Sequence, residues 1–387
     1  MKTTRRKDTT HRRLILSFAL TAILAILMSC NNGKANPQQD GGDTLSLKYA
    51  RLLTIVKHTD YTVATVANPW KEGKILQTYI LVDRNRKLPK GLPEGTVVRI
   101  PLTKSVVFTT VHCSLLMALN KQEVIAGVAD LQYIKIPWIQ EQCRKGNIAD
   151  CGEGMSPMVE KIIDLRPDAL FLSPFENSGG YGKLEDINIP IIECADYMES
   201  SPLGRAEWMK FYGLLVGAET QADSLFSVID NQYNNLKAKA KATKRRPSVI
   251  IDKMVGSVWY VPGGESTVGQ LIADASATYP FATEKRSGSI SLSFESVLEN
   301  SGSADIWLLR YDAEHDMTYR QLAAEHAGYE QLSAYRQRNV YACNVRTTPF
   351  YEETPFRPDW LLNDFIRIIH PELTGLAPLR YYKKIEK

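Results

Sequence analysis

The stretch that decides the fold runs from Ser201 to Arg246 and reads SPLGRAEWMKFYGLLVGAETQADSLFSVIDNQYNNLKAKAKATKRR. Ser201 followed by Pro202 is typical of a helix start, because serine caps the first turn and proline suits the first helical position. Gly217 interrupts the pattern, and apolar residues then recur at spacings of three and four as far as Leu236. The stretch therefore predicts a short helix and then a helix of about 40 Å.

Short β-rich runs alternate with helical segments on both sides of this stretch, as is typical of α/β proteins. The length of 387 residues is comfortable for two domains. We therefore predict two α/β lobes joined by a single long helix, with an N-terminal β-rich extension; an ordinary long surface helix is the alternative. The predicted parts are a signal peptide (1–29), a disordered tether (30–44), the extension with the N-terminal lobe (45–200), the connecting helix (201–246) and the C-terminal lobe (247–387).

The first 29 residues predict a targeting segment rather than part of the fold. Six basic residues precede a short apolar run from Leu14 to Met28, and the run ends in Leu-Met-Ser followed by Cys30. This arrangement resembles the lipobox of bacterial lipoproteins, in which the cysteine is diacylated and becomes the first residue. The resemblance implies lipidation of Cys30 and attachment to a membrane through acyl chains. A cleaved signal followed by a chance cysteine is the alternative.

The charge balance argues against a nucleic-acid-binding protein. The chain has 47 basic and 43 acidic residues, and the predicted signal peptide contains six of the former and one of the latter. The mature chain would then carry 41 basic against 42 acidic residues, without the basic excess that phosphate backbones attract.

Aromatic and basic residues follow the predicted strands of both lobes. Ligands of open α/β sheets bind beyond the carboxyl ends of the strands, so these residues are candidates for a ligand site. Aromatic walls suit a large planar or apolar ligand, and arginine pairs well with carboxylate and catecholate oxygens. For each candidate residue, the alternative is an ordinary surface side chain that contacts no ligand. The candidates are Tyr133, Trp138, Phe175, Tyr181, Lys253, Trp259, Tyr260, Arg310, Tyr311, Arg346 and Tyr351.

Sequence motifs for catalysis or metal binding are missing. The chain has no GxSxG, no GxxxxGK[ST], no HExxH and no CxxC. His112 follows the first strand of the N-terminal lobe, where a turn or capping role is favoured over a metal or haem ligand. We expect neither an enzyme nor a resident metal or cofactor. Cys143 and Cys151 lie close in sequence and could pair outside the cytoplasm.

Several motifs, in order, resemble the substrate-binding proteins of ABC importers for ferric siderophores, haem and cobalamin. The segment 158–170 contains MVEKI and LRPDAL, which is similar to LERI…LKPDLV of that family. GLLVGAETQA at 213–222, SFESVL at 293–298 and RPDWLL with IHPEL at 357–373 also have counterparts in it. Each motif is weak alone, but together they cover about residues 97–375.

The resemblance implies two lobes joined by a rigid helix, with the ligand held between them. It also implies that Glu160 and Glu295, one at a helix start in each lobe, dock against arginines of the permease. A favourable charge at a helix N-terminus is the alternative role of each acid.

These observations predict a lipid-anchored periplasmic binding protein that delivers an iron complex, a ferric siderophore or haem, to an ABC permease and its ATPase. A cobalamin-binding protein of the same class is the nearest alternative. A two-lobed α/β enzyme acting on a large anionic substrate is the alternative from another class.

Overall fold

The computed structural model describes residues 41–176 and 180–386, and its first part is a five-stranded sheet. The sheet has the order β1-β2-β3-β4-β5, with β4 and β5 parallel and the other neighbours antiparallel. This sheet confirms the predicted β-rich extension, but its first strand, Asp43–Thr44, lies in the segment predicted as a disordered tether and pairs with β2. Its strands are β1 (Asp43–Thr44), β2 (Leu53–Lys57), β3 (Thr62–Ala67), β4 (Ile75–Asp83) and β5 (Thr96–Ile100). The predicted signal peptide, Cys30 and tether residues 31–40 lie outside the described residues.

The N-terminal lobe is built on a parallel sheet of order β12-β11-β6-β7-β8. Its central strands are short apolar runs buried on both faces, as expected where helices cover a parallel sheet. The elements are β6 (Ser105–Val107), α1 (Thr110–Ala118), β7 (Ile125–Val128), α2 (Pro137–Arg144), β8 (Ala149–Asp150), β9 (Gly152–Glu153), β10 (Ser156–Pro157), α3 (Val159–Leu165), β11 (Ala169–Leu172), α4 (Lys183–Asp186) and β12 (Ile191–Glu193). Short 3₁₀ turns cover Gln122–Val124, Leu131–Tyr133 and Ala195–Met198.

The connecting segment forms three helices, where two were predicted. They are α5 (Pro202–Glu207), α6 (Met209–Val216) and α7 (Glu219–Lys241). The Ser201 hydroxyl accepts a hydrogen bond from the Gly204 N–H, and Gly217 ends α6 with a left-handed φ of 66°, as its position in the sequence indicated. The long helix ends at Lys241, five residues before the predicted end at Arg246, and the Arg246 side chain folds back and donates to the carbonyl of Lys241.

The C-terminal lobe has a sheet of order β13-β17-β18-β19, parallel except for β19, and a smaller antiparallel sheet β14-β15-β16 that the sequence did not predict. The elements are β13 (Val249–Ile251), β14 (Met254–Val255), β15 (Val258–Pro262), α8 (Thr267–Asp274), β16 (Ser289–Leu292), α9 (Phe294–Ser301), β17 (Ile306–Tyr311), α10 (Tyr319–Glu325), a 3₁₀ turn (Ala327–Gln331), α11 (Ser333–Arg336), β18 (Val340–Asn344), α12 (Phe350–Glu353), α13 (Pro358–Ile369) and β19 (Lys383–Lys384). The predicted plan of two α/β lobes is thereby confirmed.

Two buried carboxylates attach the extension to the connecting helices. Glu207, which is 0 % exposed, accepts hydrogen bonds from the backbone N–H groups of residues 48–50 at 2.7–3.0 Å. Glu199 accepts in the same way from the N–H groups of residues 51 and 52 and from the Trp208 indole. On α7, Asp230 accepts hydrogen bonds from the side chains of residues 48 and 49. These hydrogen bonds therefore attach the extension both to the region around α5 and to the long helix α7.

The hydrophobic core is continuous across most of these parts. One cluster of buried side chains includes Tyr79 of the extension, Phe171 of the N-terminal lobe, Trp208 between the connecting helices and Phe365 of α13. A second cluster lies within the C-terminal lobe around Trp307. The lobes are thus joined by packed side chains as well as by α7.

The thiols of Cys143 and Cys151 are free in this structure. Burial raises the pKa of Cys151 to about 11, so this thiol is a poor nucleophile at neutral pH. The described residues contain no helix that is both long and apolar enough to cross a membrane.

Candidate functional site

A cavity at the carboxyl edge of the N-terminal sheet lies beyond β6, β7 and β11. Its volume is about 620 Å³, within the roughly 300–1,000 Å³ typical of small-molecule sites. We call it the N-lobe cavity. Its lining residues are Phe108, Thr109, Asp130, Gly154, Met155, Ser156, Pro157, Val159, Glu160, Leu172, Ser173, Phe175, Gly180, Tyr181, Gly182, Lys183 and Leu184.

The walls of the N-lobe cavity are largely apolar. Phe175 is 44 % exposed and Met155 is 83 % exposed, so both side chains are available to a ligand. Tyr181 also lines the cavity, and its hydroxyl donates to Glu193 behind it. Burial raises the pKa of Tyr181 well above its usual value, and the Glu193 carboxylate adds to this effect. Tyr181 therefore stays a neutral phenol and presents its ring to the cavity.

Two N-lobe candidates lie elsewhere. Tyr133 ends a 3₁₀ turn with 67 % of its surface exposed, and Trp138 packs against the main core cluster from α2. Neither residue lines the N-lobe cavity. The structure thus brings together Phe175 and Tyr181, but not Tyr133 or Trp138, at this site.

A smaller cavity of about 180 Å³ lies where the lobes meet. Val111 of the N-terminal lobe, Arg205 of α5 and Arg310 and Tyr351 of the C-terminal lobe are among its lining residues. The Arg310 guanidinium is 5.9 Å from the Tyr351 ring centroid, in the range of a cation–π contact. We call this the inter-lobe cavity. Two predicted residues, Arg310 and Tyr351, line it, and its Val111 is two residues after Thr109 of the N-lobe cavity.

Polar contacts connect the lobes beside these cavities. The Lys135 ammonium of the N-terminal lobe lies 3.1 Å from the Asp312 carboxylate at the end of β17, and Arg346 binds the same carboxylate. The Thr110 hydroxyl donates to Glu352 of α12 at 3.3 Å. Burial raises the pKa of Glu352. The three charged groups, Lys135, Asp312 and Arg346, are called the cross-lobe ion cluster below.

The predicted basic residues are already paired with carboxylates. Arg310 makes a bidentate contact with Asp252, with 2.8 Å between Nε and Oδ1. Burial opposes the charge on Arg310, but the Asp252 carboxylate more than offsets this and raises its pKa above the usual value. Lys253 pairs with Glu325, and Arg346 with Asp312. The candidates therefore offer a ligand no unpaired cation.

Two aromatic candidates are internal. Trp259 is 0 % exposed; its indole N–H donates to the Ile251 carbonyl at 2.9 Å, and its ring packs against Trp307. Tyr311 is 8 % exposed, and its hydroxyl accepts from the Met317 N–H. We therefore correct the prediction and place both side chains in the C-terminal lobe core. Tyr260 is 45 % exposed because neighbours in a strand face opposite ways, but it lines neither cavity.

His112 is a structural residue. It is 3 % exposed, with Nε2 3.0 Å from Asp196 Oδ1 and Nδ1 hydrogen-bonded to the Thr109 hydroxyl. The described residues include no group of three or more His, Cys, Asp or Glu side chains arranged to hold a metal ion.

Sequence reasoning missed several residues of the site. Asp252 and Asp312 directly follow strands β13 and β17. At these strand ends the sequence pattern pointed only to basic and aromatic residues as ligand candidates. Thr109 caps α1 through its hydroxyl, and Met155 lies between β9 and β10, two short strands with no sequence signal.

Glu160 and Glu295 occupy matching positions in the first turns of α3 and α9, and both are exposed. The backbone and the Ser293 hydroxyl at the helix start lower the pKa of Glu295, so it is ionised at neutral pH. Glu160 also borders the N-lobe cavity, which the sequence did not indicate.

Comparison with known proteins identifies the chain's relatives. Residues 112–347 match the family model described as periplasmic binding protein. An uncharacterized lipoprotein of Methanocaldococcus jannaschii is 25 % identical over 360 residues, which cover 87 % of this chain and 84 % of the relative. The fold resembles a periplasmic haem-binding protein from Pseudomonas aeruginosa, with a TM-score of 0.57, 15 % identity and coverage of 74 % of this chain and 99 % of the other. It also resembles a protein of an Fe³⁺-hydroxamate transport system from Saccharomonospora viridis, with a TM-score of 0.54, 16 % identity and coverage of 70 % and 94 %.

Proposed function

The chain belongs to the periplasmic binding protein family, and we propose that it is the lipid-anchored binding subunit of an ABC importer for an iron complex, a ferric siderophore or haem. The observation that carries this proposal is the N-lobe cavity, which has the size and the aromatic walls that a metal chelate needs. The names of two structural relatives, which mention haem and Fe³⁺-hydroxamate, support this class of ligand. The family consists of binding proteins, so the enzyme alternative is set aside.

Thermal unfolding in the presence of candidate ligands tests the proposal. A ligand that binds only the folded protein stabilises it by about 2.7 kcal/mol at a concentration 100-fold above its Kd. We expect a ferric siderophore or haemin to raise the melting temperature by several degrees, and iron salts alone to have no effect. A shift with cyanocobalamin alone would favour the cobalamin alternative. The absence of any shift across all three ligand classes would contradict the proposal.

The proposed anchor is tested at Cys30. Replacing this residue by alanine removes the thiol that would carry the lipid, so we expect the variant to leave the membrane fraction for the soluble extracytoplasmic fraction. Fractionation in detergent-free buffer, followed by immunoblotting, measures the distribution. Ser29→Thr keeps the thiol and is the control, expected to stay with membranes. Sedimentation of Cys30→Ala with membranes would rule out the lipid anchor.

A further inference from the structure

The long helix α7 ends in a dense run of positive charge. Residues 237–246 read KAKAKATKRR, with six basic residues and no acid, although the chain after the predicted signal peptide has nearly balanced charge. Lys237 pairs with Asp274 at 2.7 Å, and Arg246 donates to backbone carbonyls at the helix end. The other four basic residues, which we call the basic end of α7, are Lys239, Lys241, Lys244 and Arg245.

The basic end of α7 is exposed and has no acidic partner. None of its four side chains forms an ion pair with any residue that the structure describes, and the Lys239 ammonium lies 3.5 Å from the Gly375 carbonyl oxygen. A cation at a helix C-terminus interacts favourably with the helix dipole, but this effect falls off within the last turn. Lys244 and Arg245 follow the end of α7 at Lys241, so the dipole does not account for them.

The basic end of α7 lies at the amino edge of the C-terminal sheet, because it leads directly into β13. Asp305, before β17, accepts hydrogen bonds from the N–H and the hydroxyl of Ser248 at 2.7 and 2.8 Å. The Asn339 side chain, before β18, donates to the Asp305 carbonyl at 2.7 Å. These contacts hold the starts of three parallel strands side by side. The cross-lobe ion cluster, whose Asp312 follows the end of β17, lies at the opposite edge.

Glu295 also lies towards the carboxyl edge. It is in the first turn of α9, and α9 ends at Ser301, shortly before β17 begins at the amino edge. The start of this helix therefore faces away from the amino edge. A partner bound at the basic end of α7 would cover neither Glu295 nor the inter-lobe cavity.

We propose that the basic end of α7 binds the anionic headgroups of a phospholipid membrane. A surface of many phosphates contacts several of these cations at once, and each basic residue near such a surface strengthens binding by about fivefold. The choice of a membrane as partner rests on the proposed lipid anchor, which keeps a lipid surface within reach and has its own test at Cys30. Binding at this edge turns the carboxyl edges away from the lipid, so the proposed ligand site stays open to the solution.

Sedimentation with lipid vesicles tests this interaction. The mature chain with Cys30→Ala carries no acyl group, so acyl chains cannot hold it to lipid. We expect it to sediment with vesicles of phosphatidylcholine and phosphatidylglycerol in a ratio of two to one, and to stay in solution with phosphatidylcholine alone. Because salt screens exposed charges, binding should weaken at least tenfold between about 0.05 M and about 0.5 M NaCl. Equal binding to both kinds of vesicle, or binding to neither, would overturn the inference.

Competition separates a lipid surface from a site for one small phosphate. Free glycerol phosphate, at the concentration of the phosphatidylglycerol headgroups, carries similar charge without a surface. We expect it to leave the protein on the vesicles, because a single phosphate contacts few of the cations. Displacement of the protein would overturn the proposed membrane surface.

Neutralised side chains locate the surface. Lys241→Gln, Lys244→Gln and Arg245→Gln together remove three cations and leave Arg246, which donates at the helix end. At about fivefold for each residue, we expect this triple variant to bind the anionic vesicles at least tenfold more weakly. Lys244→Gln alone lies beyond the helix, so it keeps the test open if the triple variant is unstable, and it should bind about fivefold more weakly.

The matched control removes the same charge from the extension. Lys71→Gln, Lys74→Gln and Lys87→Gln together neutralise three exposed lysines that have no ion pair among the described residues. This control should bind the anionic vesicles as tightly as the Cys30→Ala chain. An equal loss of binding in both triple variants would show that net charge alone is responsible, and would contradict the proposal.

Discussion

Replacing Glu207 by alanine is expected to lower the free energy of unfolding by about 3–5 kcal/mol, because it leaves buried polar groups without partners. Its carboxylate is the acceptor for the backbone N–H groups of residues 48–50, and it also pairs with Lys210 at 3.2 Å. Each of these donors would be left unsatisfied beneath the extension. Equilibrium unfolding in urea, followed by circular dichroism, measures the loss.

Two further variants sharpen this test. Glu219→Ala removes an exposed ion pair between α7 and Lys57 of the extension, and we expect a change within about 1 kcal/mol. Glu207→Gln keeps one acceptor oxygen and should fall between the two alanine variants. If Glu207→Ala is no less stable than Glu219→Ala, the carboxylate does not hold the extension to the connecting helices.

Reversing the charge at both Glu160 and Glu295 is expected to reduce uptake of the ligand to about a tenth or less of the wild-type rate. The two acids are exposed in the first turns of α3 and α9, one on each lobe. We propose that these acids dock against arginines of the permease. Exposed charges at an interface act mainly on orientation and association rate, so each reversal would replace an attraction by a repulsion. Uptake of radioactive iron complex by cells that depend on this protein measures the effect.

The controls lie one helical turn further along the same helices. Asp164→Lys on α3 and Glu299→Lys on α9 introduce the same charge away from the helix starts. Cells that carry either variant should take up ligand at the normal rate. Glu295→Lys should also leave ligand affinity unchanged. Glu160 borders the N-lobe cavity, so the ligand affinity of the Glu160→Lys variant must be measured separately from its uptake. Normal uptake by the double variant would mean that both acids merely favour their helix starts.

The sequence predicted helix boundaries well where they depend on neighbouring residues. Ser201, Pro202 and Gly217 marked helix boundaries correctly, since capping and a left-handed φ depend on one or two residues. The small sheet β14-β15-β16 was missed, because β15 and β16 are short and separated by 26 residues that include α8. Alternation along β15 required Trp259 and Tyr260 to face opposite ways, but only the packing of the lobe decides which one is internal.

The charge of the site could not be predicted from the sequence. Asp252 and Arg310 are 58 residues apart, and Lys135 and Asp312 are 177 residues apart and belong to different lobes. Each basic residue alone suggested an anion site, and its partner became visible only when the strands were placed side by side. Of the candidates, Phe175 and Tyr181 line the N-lobe cavity and Arg310 and Tyr351 line the inter-lobe cavity, and their contact with a ligand stays a prediction.

The position of the metal in a complex is the most direct test of the central claim, that an iron chelate binds at the carboxyl edges of the two lobes. Crystals of the mature protein grown with ferric ferrichrome and measured at the iron absorption edge would give that position from anomalous scattering. We predict one strong peak in the N-lobe cavity or between it and the side chains of Arg310 and Tyr351. A peak only in the separate groove lined by Trp360 and Arg380, or no peak at all, would contradict the claim.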